Sequence, residues 1–266
     1  MSDFALTLWT DDPALAREAD AAGIDRIGVD LDRLGKADRQ RGRATWISPH
    51  RAEALSALGP ALTDAALFAR VDPLNPDSGR QVEDVIARGA EILMLPMVAT
   101  AEEACSFSDL VAGRASIVLL VERIEAIERL AEMTSVAGVD EIHLGLNDLA
   151  MSLGLSNRWL VLAGDVASEA AATTLAAGLR FGLGGIGRAA DPSLPVPPEL
   201  VYAEFARTGA TGALISRSFL RGSPSELATE VRRAREALAS WRERSPEELE
   251  RAHAELGRAA RASTVW

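Results

Sequence analysis

Short apolar runs rich in β-branched residues alternate with longer helical stretches along the whole of this 266-residue chain. Such alternation is typical of parallel strands that are joined by crossover helices. Eight such runs recur at intervals of about 30 residues, the spacing that a single eight-stranded barrel requires. The predicted strands are residues 4–9, 26–32, 66–71, 92–97, 116–122, 141–145, 180–185 and 212–217. The sequence therefore predicts an α/β fold, a (β/α)8 TIM barrel, within residues 1–240.

Helix-end signals agree with this alternation. Asp12-Pro13 is expected to open the first helix, and Thr100 is expected to cap another. Residues 241–266 lie beyond the eighth unit, and Ser245-Pro246 predicts one further helix there. Leu249 and Leu256 recur on one face of that helix, so it is expected to pack outside the barrel or on a neighbouring subunit. We therefore predict a helical extension after the barrel and a homo-oligomer.

Composition excludes several classes of protein. The formal net charge of −11 argues against binding to nucleic acid or to an anionic membrane surface. No apolar stretch approaches the roughly 20 residues of a membrane span, and the N-terminus does not resemble a signal peptide. The single cysteine, Cys105, excludes an internal disulfide framework. A cytoplasmic enzyme that acts on a small molecule is the expectation.

Polar residues at the ends of apolar strands are the candidates for chemistry, because active sites of this fold lie at the carboxyl ends of the strands. Arg70, Glu122 and Asp148 stand out in these positions. Glu122 and Asp148 follow neighbouring strands, so both carboxylates can reach one ion. Either acid alone is more often a helix cap or a solvated charge, and that interpretation stays open at this point.

Two carboxylates with water leave room for a bidentate oxygen ligand on a hard cation, which favours Mg²⁺ or Mn²⁺ over zinc. A 2-oxo acid is such a ligand, and the cation would withdraw charge as the enolate forms. Arg70 is expected to hold the carboxylate or the enolate oxygen through its planar guanidinium.

The chain resembles the pyruvate-type metal-dependent aldolases, a family that includes 4-hydroxy-2-oxoheptanedioate aldolase and is related to the citrate lyase β-subunit. The resemblance is carried by Arg70-Val-Asp-Pro73, by residues 89–98 with the following Thr100-Ala-Glu-Glu-Ala, and above all by residues 138–149. It implies that Glu122 and Asp148 hold the metal and that Arg70 contacts the substrate. It also implies that the backbone from Gly145 through Asn147 to Asp148 seats the substrate carboxylate, and that the protein is trimeric or hexameric.

The resemblance fails at the acid/base residues. A His follows an acidic residue after strand two in bacterial members, whereas Arg33 follows Asp32 here, and Ala87 replaces the partner Asp. A Gln two residues before the metal-binding Glu is Leu120. Asp32 and Arg33 are therefore assigned to the second half of the pocket, where Arg33 can bind an anionic group but cannot act as a general base.

Gly182-Leu-Gly-Gly-Ile-Gly-Arg188 ends predicted strand seven. This run lacks the spacing of a dinucleotide motif, so it is interpreted as a phosphate or carboxylate site that uses Arg188, or as a tight packing turn. His143 lies within predicted strand six, where a core position is favoured over catalysis.

The leading function is a carbon–carbon lyase that uses a divalent metal to stabilise the enolate of pyruvate or a similar 2-oxo acid. One alternative is a lyase for CoA thioesters of the malyl-CoA or citramalyl-CoA type. Another is a barrel that has lost catalysis and only binds a metal and an anion.

Overall fold

The computed structural model describes residues 4–36, 48–221 and 226–263. Within these residues, eight parallel strands close into a barrel in sequence order, and the last pairs with the first. The strands are β1 (Ala5–Trp9), β2 (Arg26–Asp30), β3 (Ala66–Arg70), β4 (Ile92–Leu95), β5 (Ser116–Val121), β6 (Val139–Leu144), β7 (Arg180–Ile186) and β8 (Gly212–Ile215). The predicted (β/α)8 fold is confirmed.

Helices cover the outside of the barrel and connect the strands. Along the described chain they are α1 (Pro13–Ala21), α2 (Glu53–Leu58), α3 (Ser78–Ala87), α4 (Ala101–Val111), α5 (Ile124–Glu128), α6 (Leu130–Met133), α7 (Leu146–Ser152), α8 (Trp159–Leu162), α9 (Asp165–Ala176), α10 (Pro198–Thr208), α11 (Leu227–Arg242) and α12 (Pro246–Ala262), with a 3₁₀ turn at Gly59–Ala61. Asp12, Thr100 and Ser245 cap their helices through side-chain oxygens, as their positions predict.

Strands β2, β4 and β8 each end two residues earlier than the sequence predicts. β2 ends at Asp30 because the Asp30 side chain turns back and accepts the N–H of Asp32 at 3.1 Å, which takes Asp32 out of the strand. β8 ends at Ile215, so Arg217 lies in the loop that follows. Asp32 and Arg217 therefore lie on the face of the barrel that carries the carboxyl ends of the strands.

The core has two parts, as expected for a barrel with an outer layer of helices. The larger part lies between the strands and the helices. The smaller part fills the inside of the barrel with side chains from β3, β4 and β5: Phe68, Ile92, Met94, Val118 and Leu120. The inside is thus packed, and access to strand residues is from the carboxyl end.

The additional helix α12 packs on its own barrel. Ala252 and Leu256 are buried, and the Asn157 side chain donates to the Ala260 carbonyl at 3.0 Å. Much of the apolar face that suggested an oligomer is therefore covered within the same chain. The division into residues 1–240 and 241–266 stays a prediction. No helix in the described segments is long and apolar enough to cross a membrane.

Candidate active site

A cavity of about 360 Å³ opens at the carboxyl end of the barrel, and Glu122 and Asp148 line it. Glu122 is the first residue after β5, and Asp148 lies in the first turn of α7, which follows β6. The fold thus brings to one cavity the two carboxylates that the sequence singled out, because the ends of neighbouring strands meet at the same rim.

Glu122 is buried without a cationic partner in the described part of the chain. Burial raises the pKa of its carboxyl well above the usual range, and the negative charge of Asp148 raises it further, against the lowering effect of Arg70. The Oδ1 atom of Asp148 is buried and accepts no hydrogen bond among the described residues. A buried carboxylate whose charge is disfavoured, beside a second carboxylate with a buried oxygen that lacks a partner among the described residues, fits a bound cation.

The backbone around Glu122 is shaped to hold that side chain. Met97, after β4, has a left-handed backbone with φ of 59°, and its N–H donates to Glu122 Oε1 at 3.1 Å. A Cβ atom on Gly145 would lie 2.9 Å from both Cβ and Oε2 of Glu122, so a larger residue would displace the carboxylate. The left-handed backbone of Met97 and the absence of a side chain at Gly145 both fix the position of the Glu122 carboxylate.

Arg70 stands in the same cavity and is fixed by Asp30. Its Nε and Nη2 atoms donate to the two oxygens of Asp30 at 2.8 and 2.7 Å, and its guanidinium lies 5.5 Å from the ring centroid of Trp9. Burial alone would raise the pKa of Asp30, but Arg70 and then Lys36 outweigh it and lower the pKa to about 2. The Nη1 atom of Arg70 forms no hydrogen bond with the described residues and can bind a ligand.

Lys36 completes this half of the cavity. Its ammonium is buried and lies 3.2 Å from Asp30 Oδ2 and 3.1 Å from Asp32 Oδ2. Asp32 is therefore tied to the pocket through Lys36 and does not itself line the cavity. Within the described segments, no group of three or more His, Cys, Asp or Glu side chains could hold a metal, so the candidate centre is the pair of carboxylates.

The family model for HpcH/HpaI aldolase/citrate lyase matches residues 5–183, which include all of these residues. This chain belongs to that family. Its members are aldolases and citrate lyase subunits, which are lyases, and the resemblance seen in the sequence is thereby confirmed. No curated protein matches the chain.

Solved structures of family members share the fold. A HpcH/HpaI aldolase/citrate lyase family protein from Burkholderia cenocepacia J2315 has a TM-score of 0.64 at 17% identity, over 91% of this chain and 96% of that one. CitE from Mycobacterium tuberculosis, in complex with magnesium and pyruvate, has a TM-score of 0.62 at 18% identity, over 96% and 97%. CitE in complex with magnesium, acetoacetate and coenzyme A has a TM-score of 0.61 at 18% identity, over 98% and 88%.

Besides Asp32, two predicted site residues, Arg33 and Arg188, do not line the cavity. Arg33 is exposed, its guanidinium donates to the carbonyl of His50, and its N–H donates to Asp72 Oδ1 at 2.8 Å. Arg188 donates from Nε to the Phe219 carbonyl at 2.9 Å and pairs with Glu226 at 3.2 Å. A direct contact of either guanidinium with substrate stays a prediction that this arrangement does not favour. Asn147 and Gly145 do line the cavity.

The glycines of β7 make room for side chains of the barrel. A Cβ atom on Gly182 would lie 2.1 Å from His143 Nδ1, and one on Gly184 would lie 2.4 Å from Leu146 Cδ1. Gly184 and Gly185 line the cavity, and the close contacts at Gly182 and Gly184 favour the packing interpretation of this run, while an anion site there stays a prediction. His143 is buried inside the barrel at the cavity floor, where its Nε2 lies 3.1 Å from the Gly184 carbonyl.

Several cavity or supporting residues were not assigned from the sequence, among them Trp9, Lys36, Met97 and Arg158. Trp9 ends β1 at the same rim as Arg70 and Glu122, but a rule that selects polar residues does not select a tryptophan. Lys36 is one of several basic residues after strand two, and its sequence position does not single it out. Nothing in the local sequence marks Met97 or Arg158, because both depend on loops whose course the tertiary structure decides.

Proposed function

We propose that this protein is a carbon–carbon lyase that binds a 2-oxo acid through a divalent metal, Mg²⁺ or Mn²⁺, held by Glu122 and Asp148. The single observation that carries the proposal is the unpartnered Asp148 Oδ1 beside the buried, uncompensated Glu122. A cation bound there supplies Lewis-acid stabilisation for the negative charge that develops on the keto acid during cleavage or addition. The magnesium and pyruvate held by a family member of the same fold support this assignment.

Arg70 orients the substrate in this proposal. Asp30 occupies its Nε and Nη2 atoms and leaves Nη1 to hold the substrate carboxylate or the developing enolate oxygen. The neighbouring Asp30 carboxylate raises the pKa of Arg70 against the effect of burial, so the guanidinium keeps its charge during the reaction. Lys36 Nζ is positioned to donate a hydrogen bond to a second substrate oxygen.

Oxaloacetate decarboxylation tests the proposal, because loss of CO₂ from this 2-oxo acid leaves the enolate of pyruvate. We expect activity with Mg²⁺ or Mn²⁺, none with EDTA, and a loss of at least about 1,000-fold in Glu122→Gln, since metal stabilisation of charge is worth several kcal/mol. Glu169→Gln on α9 is the matched control, because this exposed glutamate is far from the cavity. Full metal-dependent activity in Glu122→Gln would refute the assignment.

A CoA-thioester lyase is the second candidate. The apolar Leu120 in the cavity wall and the coenzyme A complex of a family member favour it. Saturable binding of CoA by isothermal titration calorimetry is the expected result for this candidate. Absence of CoA binding, together with decarboxylation of oxaloacetate, would leave the aldolase-type lyase.

Assembly and location are further parts of the proposal. A homo-oligomer of three or six copies and a cytoplasmic location agree with the family resemblance and the acidic composition. Light scattering coupled to gel filtration tests the number of copies in the oligomer. A monomer at micromolar concentration would contradict it.

A further inference from the structure

One buried asparagine connects the C-terminal helix α12 to a wall of the cavity. Asn157 lies between α7 and α8, directly before Arg158, and is 1% exposed. Arg158 lines the cavity, as do Asn147 and Asp148 in the first turn of α7. Asn157 itself does not line the cavity. It is therefore not a candidate for ligand contact, although it lies between two segments that contribute to the cavity.

The Asn157 side chain uses both of its polar atoms, each on a different helix. Its Nδ2 atom donates to the carbonyl of Ala260 at 3.0 Å and to that of Ser263 at 3.1 Å. Both carbonyls stand at the C-terminal end of α12, where helix carbonyls have no partner within the helix. Its Oδ1 atom accepts the N–H groups of Trp159 at 3.0 Å and of Leu160 at 3.3 Å. One side chain thus completes the end of α12 and the beginning of α8.

Helix α12 is a firm support for this contact. It packs against α8 and α10, and its residues Leu256 and Ala260 are buried. In its middle, His253 Nδ1 lies 2.9 Å from Oε2 of Glu204, a buried residue of α10. The end of α12 is thus held in place by the packing of the helix on the barrel, and Asn157 fixes the start of α8 relative to it.

The residue type indicates a role beyond the start of α8. An Asp or Ser side chain accepts hydrogen bonds at a helix start about as well as Asn does. Of these three residues, only Asn also has an NH₂ group that donates two hydrogen bonds, which is what the two carbonyls at the end of α12 require. Asn157 therefore fits a junction between two helices and does more than the start of α8 alone requires.

The backbone that Asn157 fixes carries Arg158 into the cavity wall. The guanidinium of Arg158 lies 4.6 Å from the ring centroid of Trp159, and its Nη1 atom lies 3.5 Å from Oδ1 of Asn147. The N–H of Trp159 is itself held by Asn157 at 3.0 Å. A shift at the start of α8 therefore moves the Arg158 guanidinium, and with it the wall next to Asn147 and Asp148.

We propose that Asn157 is a positioning residue that ties α12 to residues 146–162 and so holds this wall of the cavity in place for the ligand. The C-terminal helix is accordingly part of the support of the binding site, and loosening its end loosens the cavity wall. The identity of the ligand rests on the proposed function, whereas the tie between α12 and the cavity wall is independent of it.

Asn157→Ser in the full chain tests the proposal, because serine keeps an acceptor for the N–H groups of α8 and loses the donor for α12. Hydrogen exchange followed by mass spectrometry reports on α12 and on residues 146–162 separately, without any ligand. We expect exchange to become about 5-fold faster or more in both segments, since two hydrogen bonds are lost, and to stay unchanged in β5. Pyruvate affinity in saturating Mg²⁺, measured by isothermal titration calorimetry, should fall at least about 5-fold.

Asn75→Ser is the matched control. The Asn75 side chain also accepts a backbone N–H, that of Asp77 at 2.9 Å, and its Nδ2 atom donates to the Pro73 carbonyl at 2.8 Å. Both bonds stay within its own loop before α3, and Asn75 does not line the cavity. Exchange in α12 and pyruvate affinity should stay within about twofold of the wild-type values in this variant, because sites without shared partners act independently.

His253→Ala loosens α12 from another side, because it removes the contact with Glu204 and leaves Asn157 intact. Exchange in residues 146–162 should become at least about twofold faster in this variant too, since one hydrogen bond that holds α12 is lost. This variant tests the tie even if Asn157→Ser folds poorly. Unchanged exchange in residues 146–162 would show that α12 does not support the cavity wall.

Each contrary result in Asn157→Ser is distinct. Faster exchange at the start of α8 without a change in α12 would overturn the proposal, because the asparagine would then serve α8 alone. Faster exchange in α12 without a change in residues 146–152 would equally overturn it, as would an unchanged pyruvate affinity. If the wild-type protein binds no pyruvate in Mg²⁺, the proposed function fails, while the exchange results still decide the tie between α12 and the cavity wall.

Discussion

Two buried glutamates on neighbouring strands show how one side-chain type serves opposite purposes in this barrel. Glu141 in β6 is 2% exposed and pairs with Arg26 at 2.7 Å. Burial alone would raise its pKa, but His143 and Arg26 outweigh it and lower the pKa to about 2. Glu122 after β5 is 4% exposed, and the pKa of its carboxyl is raised. Equal burial thus gives opposite shifts, and the presence of a cationic partner decides the sign.

The comparison distinguishes a glutamate that stabilises the fold from one that is a candidate for function. Glu141 has its positive charge built into the protein, so it belongs to the fold. Glu122 has the negatively charged Asp148 as its neighbour and lines the cavity, so we propose that a bound cation supplies the positive charge there. A buried acid without a cationic partner is therefore a stronger sign of a functional site than a buried acid that has one.

The largest expected effect comes from substitution of Glu141, the glutamate that has a cationic partner within the protein. Glu141→Gln leaves the Arg26 guanidinium buried without its counter-charge, which is expected to cost about 3 to 5 kcal/mol in the free energy of unfolding. Urea denaturation without metal measures it. Glu122→Gln serves as the comparison and should cost little or stabilise slightly, since that carboxylate has no cationic partner to lose. Equal losses in the two variants would contradict the distinction.

The second prediction concerns the metal. Asp148→Asn removes an oxygen that has no protein partner, so we expect Mg²⁺ affinity to fall roughly 100-fold or more, beyond the effect of losing an outer hydrogen-bond partner. Isothermal titration calorimetry gives the affinity. Asp165→Asn on α9 is the control, because Asp165 is exposed and does not line the cavity. Unchanged affinity in Asp148→Asn would remove Asp148 from the candidate centre.

The third prediction uses pH. The pKa of Asp30 falls from 3.8 to about 2 in the folded protein, so the stability that its ion pair contributes is present above pH 4 and is lost as pH falls towards 2. Asp30→Asn should therefore be destabilised by about 2 kcal/mol at pH 7 and progressively less below pH 4. Urea denaturation of both proteins at a series of pH values checks the sign. A difference that does not change with pH would show that packing, and not charge, accounts for the loss.

The smallest expected effect comes from a side chain added at Gly145, whose backbone lies against Glu122. Gly145→Ala adds a Cβ atom that would lie 2.9 Å from Glu122 Cβ and Oε2, so it should weaken Mg²⁺ binding about 10-fold with a loss of stability near 1 kcal/mol. The control is Gly113→Ala. A Cβ atom there meets no other atom within 4 Å, although its φ of 70° adds backbone strain. Mg²⁺ affinity should fall only in Gly145→Ala, and equal affinities in the two variants would contradict the proposed role of Gly145.

Much of the fold and part of the site were predictable, for a common reason. The period of apolar residues marks each strand, and in a parallel barrel every strand ends on the same rim, so Arg70, Glu122 and Asp148 could be grouped without coordinates. The same reasoning could not show where a side chain turns: the Arg188 guanidinium turns towards Phe219 and Glu226, and its contact with substrate stays a prediction.

What the sequence determined by itself is the barrel, its strand order and the residues at the strand ends, since these depend on local periodicity and on the geometry of a parallel sheet. Only the tertiary structure decided which acids have partners. Glu141 meets Arg26 across 115 residues of sequence, whereas Arg158 and Arg217 line the cavity and form no ion pair with an acid of the described segments. Charge compensation depends on distance in space and on burial, and neither quantity can be read from the order of the residues.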